Sequence, residues 1–230
     1  MKKPVRIADE NIYVDSKHHS EPKEYFKFIG KFIKDNSVII DVGCANGALL
    51  NYLQKNHPRE LIGIEPVEKL VNIGKELNRE INFIHSSLDD LKVSQLKEKG
   101  DYVISTGVIG IFENPKLFVK KLLQLVKPNG EIIIFSPFNE EPIDVILKYK
   151  YSDSSTWEKG HNLFSISTMN KIAENFNLSL EILNFSMPFS IAKTNDPMRS
   201  WTEPFRGNNN HLVYGTNMFS TTKVLIFKKK

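Results

Sequence analysis

The sequence predicts an α/β protein built on a doubly wound, mostly parallel seven-stranded sheet, with helices on both faces and the last strand antiparallel. Three observations support this fold class. Short apolar segments alternate with segments of helical periodicity through the first 137 residues, which is typical of a parallel sheet covered on both faces. A glycine-containing turn follows the first apolar segment. The last two apolar segments have no helix between them, which favours antiparallel pairing at one edge.

The individual elements follow from periodicity. A first helix is predicted over 21–34, because Tyr25, Phe28, Ile29 and Phe32 recur at helical spacing. Apolar runs predict five strands, at 38–42, 61–65, 81–85, 101–105 and 131–137. Helical patterns fill the intervals and continue beyond the fifth strand, at 47–55, 67–78, 88–97, 115–126 and 141–150.

Local signals mark several boundaries. Pro115 stands in the first turn of its helix, where a missing backbone N–H costs nothing. The Pro-Asn-Gly sequence at 128–130 predicts a turn before the fifth strand. A capped helix is predicted over 165–176, and the closing strands are predicted at 179–185 and 222–228.

The chain length of 230 residues suits a single domain. Within it we expect an N-terminal helical cap (1–36), a cofactor-binding core (37–137) and a substrate-side region (138–230). The substrate-side region contains a long connection, 186–221, between the last two strands. Because this connection carries Trp201, Phe205, Tyr214 and Phe219, it predicts an ordered flap rather than a disordered loop.

Composition disfavours several classes of protein. The single cysteine, Cys44, cannot form an internal disulfide. No apolar run approaches the roughly 20 residues that a membrane span needs, and the N-terminus lacks the apolar stretch of a secretion signal. We therefore expect a cytoplasmic protein. The net charge of +4 lies partly at the chain ends, so a nucleic-acid partner is disfavoured.

The turn after the first strand predicts a ligand site. Gly43 and Gly47 allow a tight bend and a close backbone approach to a ligand. The helix that follows directs free N–H groups and the positive end of its dipole towards a bound carboxylate or phosphate. The turn lacks both the G-x-G-x-x-G fingerprint of dinucleotide binding and the G-x-x-x-x-G-K-[ST] phosphate loop. A nicotinamide dehydrogenase is therefore disfavoured.

The segment Asp41-Val-Gly43-Cys-Ala45-Asn-Gly47 resembles the first motif of class I S-adenosylmethionine-dependent methyltransferases, with Ala45 in place of the middle glycine. The resemblance continues in the family's order through LIGIEP, INFIHSSLDDL, DYVISTGVIGIFENP and LLQLVKPNGEIIIFSP, and so covers residues 38–137. The C-terminal stretch is similar, more loosely, to the ends of small bacterial methyltransferases linked to surface-glycan synthesis. The resemblance implies a Rossmann-like fold, S-adenosyl-L-methionine as cofactor and S-adenosyl-L-homocysteine as product.

The resemblance also implies a set of cofactor contacts. The glycine-loop amides face the methionine portion, Asp41 attracts its ammonium, and Glu65 accepts hydrogen bonds from both ribose hydroxyls. Ser87 and Leu88 border the adenine, although many relatives have an acid at the position of Ser87. Thr106, Gly107 and Val108 form the floor near the sulfonium. The implied cofactor-binding residues are Asp41, Gly43, Cys44, Ala45, Gly47, Glu65, Pro66, Ser87, Leu88, Thr106, Gly107 and Val108.

Other residues have two interpretations. His161 is the candidate general base for a hydroxyl acceptor, or a loop histidine bonded to backbone. Asp89 and Asp90 could ligate a metal, but Ser86 and Asp89 at capping-box spacing favour a helix start, so no metal site is predicted. Cys44 has no evident partner for nucleophilic catalysis and is expected to pack.

The expected function is methyl transfer to a small-molecule acceptor, and a sugar or glycan-precursor hydroxyl is the leading choice. Two alternatives stay open: an RNA (ribose) methyltransferase, and a non-catalytic module that keeps the cofactor-binding fold. The fourth-strand motif reads STGV rather than the Asn/Asp-Pro-Pro-aromatic sequence of base-amino methylation. The cysteine also stands outside a Pro-Cys pair, which disfavours cytosine C5 methylation.

Overall fold

The structure is a computed structural model that describes residues 13–90, 96–150, 152–193, 200–204, 210–214 and 221–229. The chain groups into two compact units. Residues 1–106, 120–133 and 229 belong to the first unit, and residues 107–119, 134–228 and 230 belong to the second. The division into cap, core and substrate-side region stays a prediction.

The strands and helices are numbered in chain order. The strands are β1 (Val38–Val42), β2 (Glu60–Glu65), β3 (Ile81–His85), β4 (Gly100–Thr106), β5 (Val126–Phe138), β6 (Lys148–Tyr149), β7 (Glu158–Lys159), β8 (Leu178–Asn184), β9 (Ser200–Pro204), β10 (Asn210–Tyr214) and β11 (Thr221–Lys229). The helices are α1 (Lys17–Ser20), α2 (Glu24–Gly30), α3 (Ala48–Leu53), α4 (Glu68–Leu77), α5 (Pro115–Leu125) and α6 (Ile166–Asn175).

Seven strands form one sheet in the order β3-β2-β1-β4-β5-β11-β8. β1 is parallel to β2 on one side and to β4 on the other, and β2 is parallel to β3. The last strand, β11, is antiparallel and lies between β5 and β8. The predicted doubly wound α/β fold is confirmed. The chain order reverses direction between β1 and β4, so the carboxyl ends of these strands form the switch point where such sheets bind ligands.

Burial explains why β1 and its neighbours form strands at the centre of the sheet. All five residues of β1 are buried, as expected for a parallel strand covered on both faces.

α2 packs against the interior of the first unit. It directs Phe26 and Ile29 into the interior, and both side chains are at most 2% exposed. The Asn56 side-chain amide donates to the Gly30 and Ile33 carbonyls at 3.1 and 3.0 Å. These two bonds join the end of α2 to the core of the first unit.

Two predicted boundaries differ in the structure. The Pro-Asn-Gly segment at 128–130 lies within β5, which is one strand from Val126 to Phe138 rather than a turn followed by a strand. The predicted helix over 88–97 is a turn at 88–90, and residues 91–95 lie outside the described residues.

The predicted helix over 141–150 is wrong. Val145 instead exchanges two backbone hydrogen bonds with Leu163, at 2.7 and 2.9 Å, and β6 pairs with β7 from three residues further on. Asp144 is held nearby, because its carboxylate accepts from the Ser165 N–H and the Thr168 hydroxyl, both at 2.7 Å. Pairing with a distant segment therefore overrides the local helical pattern, in a stretch whose β-branched residues also suit a strand.

The described part of the predicted flap (186–221) contains an antiparallel pair, β9 and β10. Trp201 on β9 is 4% exposed, and its indole N–H donates to Glu203 at 2.7 Å. The described flap residues are thus organised around a buried aromatic side chain. Phe205 and Phe219 lie outside the described residues.

Candidate functional site

The glycine loop after β1 is fixed by backbone hydrogen bonds to β2. The Gly43 and Cys44 N–H groups both donate to the Ile64 carbonyl, at 2.8 and 3.2 Å. Gly43 and Gly47 have φ of 78° and 79°, a left-handed conformation that glycine adopts without strain. A Cβ on Gly47 would come within 2.5 Å of the Phe83 ring, so packing also requires glycine there. α3 begins directly after the loop.

Glu65, at the carboxyl end of β2, is coupled to this loop. Its side chain accepts two backbone hydrogen bonds, from the Ala45 N–H at Oε2 and from the Val67 N–H at Oε1, both at 3.0 Å. Burial raises the pKa of Glu65, while these two N–H groups and His85 act in the opposite direction. Each carboxylate oxygen has two acceptor sites, so each can accept one further hydrogen bond from a ligand diol.

Asp41 is the most unusual carboxyl group of the site. It is 1% exposed, and its Oδ1 atom is buried without a hydrogen-bond partner. Burial, with a smaller effect from the Glu65 charge, raises the pKa of Asp41 from 3.8 to about 8. A buried, unpartnered acceptor costs stability, so its retention at a ligand site suggests that a cationic ligand group completes it.

Cys44 contributes only its backbone to the loop surface. Its side chain is 5% exposed and directed at β2, where a Cβ on Gly63 would come within 2.6 Å of Sγ. Burial, followed by the charges of Asp41 and Glu65, raises the pKa of the thiol. Because thiolate is the nucleophilic form, this environment disfavours nucleophilic chemistry at Cys44.

Asn46 joins the glycine loop to the N-terminal segment, a contact that the sequence analysis missed. The buried amide donates to the Tyr13 and Asp15 carbonyls at 2.7 and 3.3 Å. Its Oδ1 atom lies 3.3 Å from His19 Nε2, which donates to it. The only sequence signal was an amide side chain between Ala45 and Gly47, where the backbone alone was expected to act.

Ser87, in the segment after β3, forms hydrogen bonds within a turn. The Ser87 hydroxyl donates to Asp90 Oδ2 at 2.7 Å and accepts from the Asp90 N–H at 3.1 Å. Ser87 rather than Ser86 therefore caps this turn. Leu88 is buried, and the Pro66 carbonyl accepts a hydrogen bond from His85 Nε2 at 3.1 Å. The adenine contacts of Pro66, Ser87 and Leu88 stay predictions.

β4 ends at Thr106, and Gly107 begins the second unit. The Gly107 N–H donates to the Phe135 carbonyl at 2.8 Å, and its φ is 71°. A Cβ on Gly107 would have no atom within 4 Å, so this residue borders open space. Thr106 and Val108 are half-buried on either side of it. The chain is therefore accessible at the predicted sulfonium floor.

His161 lies in the second unit beside the turn that follows β4. Its neighbour Asn162 is buried and donates its backbone N–H to the Gly110 carbonyl at 2.7 Å. The Asn162 side chain donates to the Phe112 carbonyl at 2.9 Å and accepts from the Leu147 N–H at 3.0 Å. Three hydrogen bonds of Asn162 thus fix the backbone next to half-buried His161. Asn162 was missed by the sequence analysis, because only the fold shows what its amide contacts.

The acidic pair after β3 has other partners. Asp89 forms an ion pair with Lys121, and Asp90 pairs with Ser87. Within the described ranges, no group of three or more His, Cys, Asp or Glu side chains could hold a metal ion. The two acids therefore stabilise a turn and a helix contact.

The glycine loop at the switch point and the carboxyls of Asp41 and Glu65 fit S-adenosylmethionine, which combines a diol with an ammonium. The fold is that of class I S-adenosylmethionine-dependent methyltransferases. Residues 14–182 match the model of a family described as a methyltransferase domain, and the chain belongs to that family.

Two curated relatives are similar in sequence. The tRNA U34 carboxymethyltransferase of Helicobacter pylori (strain HPAG1) is 27% identical over 179 residues, which cover 74% of this chain and 65% of that protein. The mitochondrial ubiquinone biosynthesis O-methyltransferase of Dictyostelium discoideum is 28% identical over 108 residues, covering 42% of this chain and 34% of that protein. The chain thus spans less than two thirds of the length of these relatives.

Solved structures are similar in fold. The methyltransferase complex of Haloferax volcanii with the Trm112 activator matches with a TM-score of 0.67 at 14% identity, covering 97% of this chain and 98% of that chain. The plantazolicin methyltransferase BpumL, solved with S-adenosylhomocysteine, matches with a TM-score of 0.55 at 16% identity, covering 94% and 90%. In the part of this chain that the structure describes, no helix is long and apolar enough to cross a membrane.

Proposed function

We propose that this enzyme transfers a methyl group from S-adenosylmethionine to a hydroxyl of a small, uncharged acceptor such as a sugar. The observation that carries the proposal is the charge of the second unit. This unit (107–119, 134–228 and 230) contains eleven Lys or Arg and ten Asp or Glu residues, so it is nearly neutral. An extended polyanion such as RNA is normally bound by a strong excess of basic residues.

The cofactor contacts of the proposal rest on the first unit. Glu65 accepts the two ribose hydroxyls at the acceptor sites that the Ala45 and Val67 N–H groups leave free. The unpartnered Oδ1 of Asp41 accepts from the ammonium of the methionine portion, and that cation favours the ionised carboxyl. The free N–H groups at the start of α3 face the carboxylate of the same ligand.

His161 is the proposed general base. S-adenosylmethionine supplies an activated methyl group, so the protein mainly has to align the acceptor and remove a proton. The bound cofactor would supply the methyl group to the acceptor oxygen, and the His161 imidazole would take the hydroxyl proton. The bonds of Asn162 to Gly110, Phe112 and Leu147 hold this histidine in position.

RNA is the second candidate acceptor. It is favoured by the similarity to tRNA U34 carboxymethyltransferases over 74% of the chain. The similarity leaves about a third of the length of those relatives uncovered.

An acceptor screen tests the proposal. The purified protein is incubated with methyl-labelled S-adenosylmethionine and, in parallel, with nucleotide sugars, glycans and total tRNA. We expect label in the sugar-containing fractions, loss of that label with His161→Ala, and none in tRNA. Labelling of tRNA that weakens steeply with added salt would replace the small acceptor by RNA. A Glu65→Ala protein is the control that shows whether labelling depends on the cofactor site.

A further inference from the structure

The β6–β7 hairpin in the second unit carries three lysines on one face. Its register pairs Lys148 with Lys159 and Tyr149 with Glu158. One position further along, Lys150 Nζ lies 5.7 Å from the centre of the Trp157 ring. Because side chains alternate across a strand and opposed residues share a side, Lys148, Lys150, Trp157 and Lys159 lie on one face. These four residues are called the basic hairpin face below.

Apolar side chains are unusually exposed at this hairpin. Trp157 is 63% exposed, whereas Trp201, the other tryptophan, is 4% exposed. Ile143 and Ile146, in the segment leading into β6, are 59% and 51% exposed. Large apolar side chains that are concentrated and solvent-exposed mark an interaction surface.

The lysines of this face are available to a ligand. Lys148 and Lys150 form no ion pair in the described part of the chain, and Lys159 pairs with Glu113 at 2.8 Å. The neighbouring acid Glu158 accepts from the Tyr149 hydroxyl on the opposite face of the hairpin. Two further exposed acids lie nearby in sequence: Asp153 in the connecting loop, and Asp144, whose carboxylate is bonded to Ser165 and Thr168. The face therefore combines positive charge with an exposed indole.

We propose that the basic hairpin face docks on an anionic lipid bilayer. An indole lies favourably at the level of the lipid headgroups, and lysines attract anionic lipids. Ile146, two residues before Lys148, lies on the same side by the same alternation and would enter the boundary with the acyl chains, which explains its exposure. Single-stranded RNA would engage the indole and the lysines but leave Ile146 exposed to water. Ile146 therefore decides in favour of the bilayer. The inference does not depend on the identity of the acceptor.

Flotation with vesicles tests the docking directly. The full chain is mixed with vesicles of phosphatidylcholine alone and of phosphatidylcholine with phosphatidylglycerol. We expect binding to the anionic vesicles that weakens with salt. On binding, the fluorescence of exposed Trp157 should shift to shorter wavelength and be quenched by brominated lipids. Trp201 is buried and should contribute a constant background to the signal.

Variants assign the binding to this face. Lys148→Glu with Lys150→Glu should weaken the partition coefficient at least about 20-fold, and Trp157→Ala should weaken it about tenfold. Matched controls are Lys171→Glu and Leu117→Ala, which change an exposed lysine on α6 and an exposed leucine on α5. Both controls should bind as the unchanged protein does.

Three results would overturn the proposal. The first is no binding to anionic vesicles by a folded protein. The second is binding that survives both hairpin variants, which would place the membrane contact elsewhere. The third is saturable binding of an oligouridylate at this face without vesicle binding, which would assign the face to RNA.

Discussion

The burial of Asp41 predicts an unusual pH dependence of stability. In the unfolded chain this carboxyl has a pKa near 3.8, and in the folded protein burial and the Glu65 charge raise it to about 8. Between these values the folded protein holds a proton that the unfolded chain has lost. Stability therefore falls as pH rises through this window, and the fall ends when pH passes the folded pKa.

The magnitude follows from the linkage. One proton of difference corresponds to about 1.4 kcal/mol per pH unit, so this group alone removes about 2.7 kcal/mol between about pH 5 and about pH 7. Asp41→Asn cannot ionise and should lack this slope. We expect the free energy of unfolding of the variant, relative to the unchanged protein, to rise by that amount over the same interval. The absolute stability of the variant also reflects its buried amide, so the slope is the quantity to compare.

Denaturant unfolding at several pH values measures the slope. The pKa of Glu65 is also raised, but Glu65 is present in both proteins. Its contribution therefore cancels in the difference between their free energies of unfolding. Asp101→Asn on β4 is the matched control. Burial acts to raise the pKa of Asp101, but hydrogen bonds from Lys127 and the Val38 N–H outweigh it, so the pKa is lowered. Asp101 is then ionised in both states above about pH 5, and its variant should differ from the unchanged protein by a constant.

Parallel stability curves for the unchanged protein and Asp41→Asn would refute the reasoning. They would mean that Asp41 is ionised in the free protein and that its Oδ1 is solvated or paired. A second readout is available on the ligand side. If a cationic ligand group ionises Asp41 on binding, calorimetry in buffers of different ionisation enthalpy should detect proton release near pH 7, and Asp41→Asn should abolish it.

Three further predictions concern single side chains. Glu65→Ala should weaken S-adenosylhomocysteine binding by about 2 kcal/mol or more, because two charged hydrogen bonds are lost, and unchanged calorimetric affinity would refute the ribose assignment. His161→Ala should lower kcat on the true acceptor at least about 100-fold and leave cofactor affinity unchanged; full turnover would exclude it as the base. Asn162→Ala should destabilise the protein by about 1–3 kcal/mol, because it leaves the Phe112 carbonyl and Leu147 N–H without partners. Asn175→Ala on α6 is its control, and equal unfolding midpoints for both variants would contradict this prediction.

Much of the core fold could be predicted because its signals are local. β1 has the predicted bounds, since a strand buried on both faces reads as a continuous apolar run. The helix over 166–175 was predicted because its cap, Ser165, is readable in the sequence, and its hydroxyl accepts from the Thr168 N–H at 3.1 Å. The predicted position of the candidate site rests on the loop after β1.

The helix predicted over 141–150 was wrong because the structure of this segment depends on a distant contact. Its helical pattern is a local property, but Val145 gains two hydrogen bonds from Leu163, eighteen residues away. A contact at that separation leaves no periodic trace in either segment. The helical pattern is present in the segment, but it does not reveal the distant pairing partner. The exposed face of the hairpin could therefore not be predicted from the pattern.

The sequence by itself determined the alternation of strands and helices, the left-handed glycine turn and the order of the acids that follow the strands. These features depend on residues close together in the chain. Only the tertiary structure decided how the Asn46 and Asn162 amides are used, because their partners are 15 to 50 residues away. It also decided the ionisation of Asp41, since the cost of a buried charge depends on what the rest of the chain places around it.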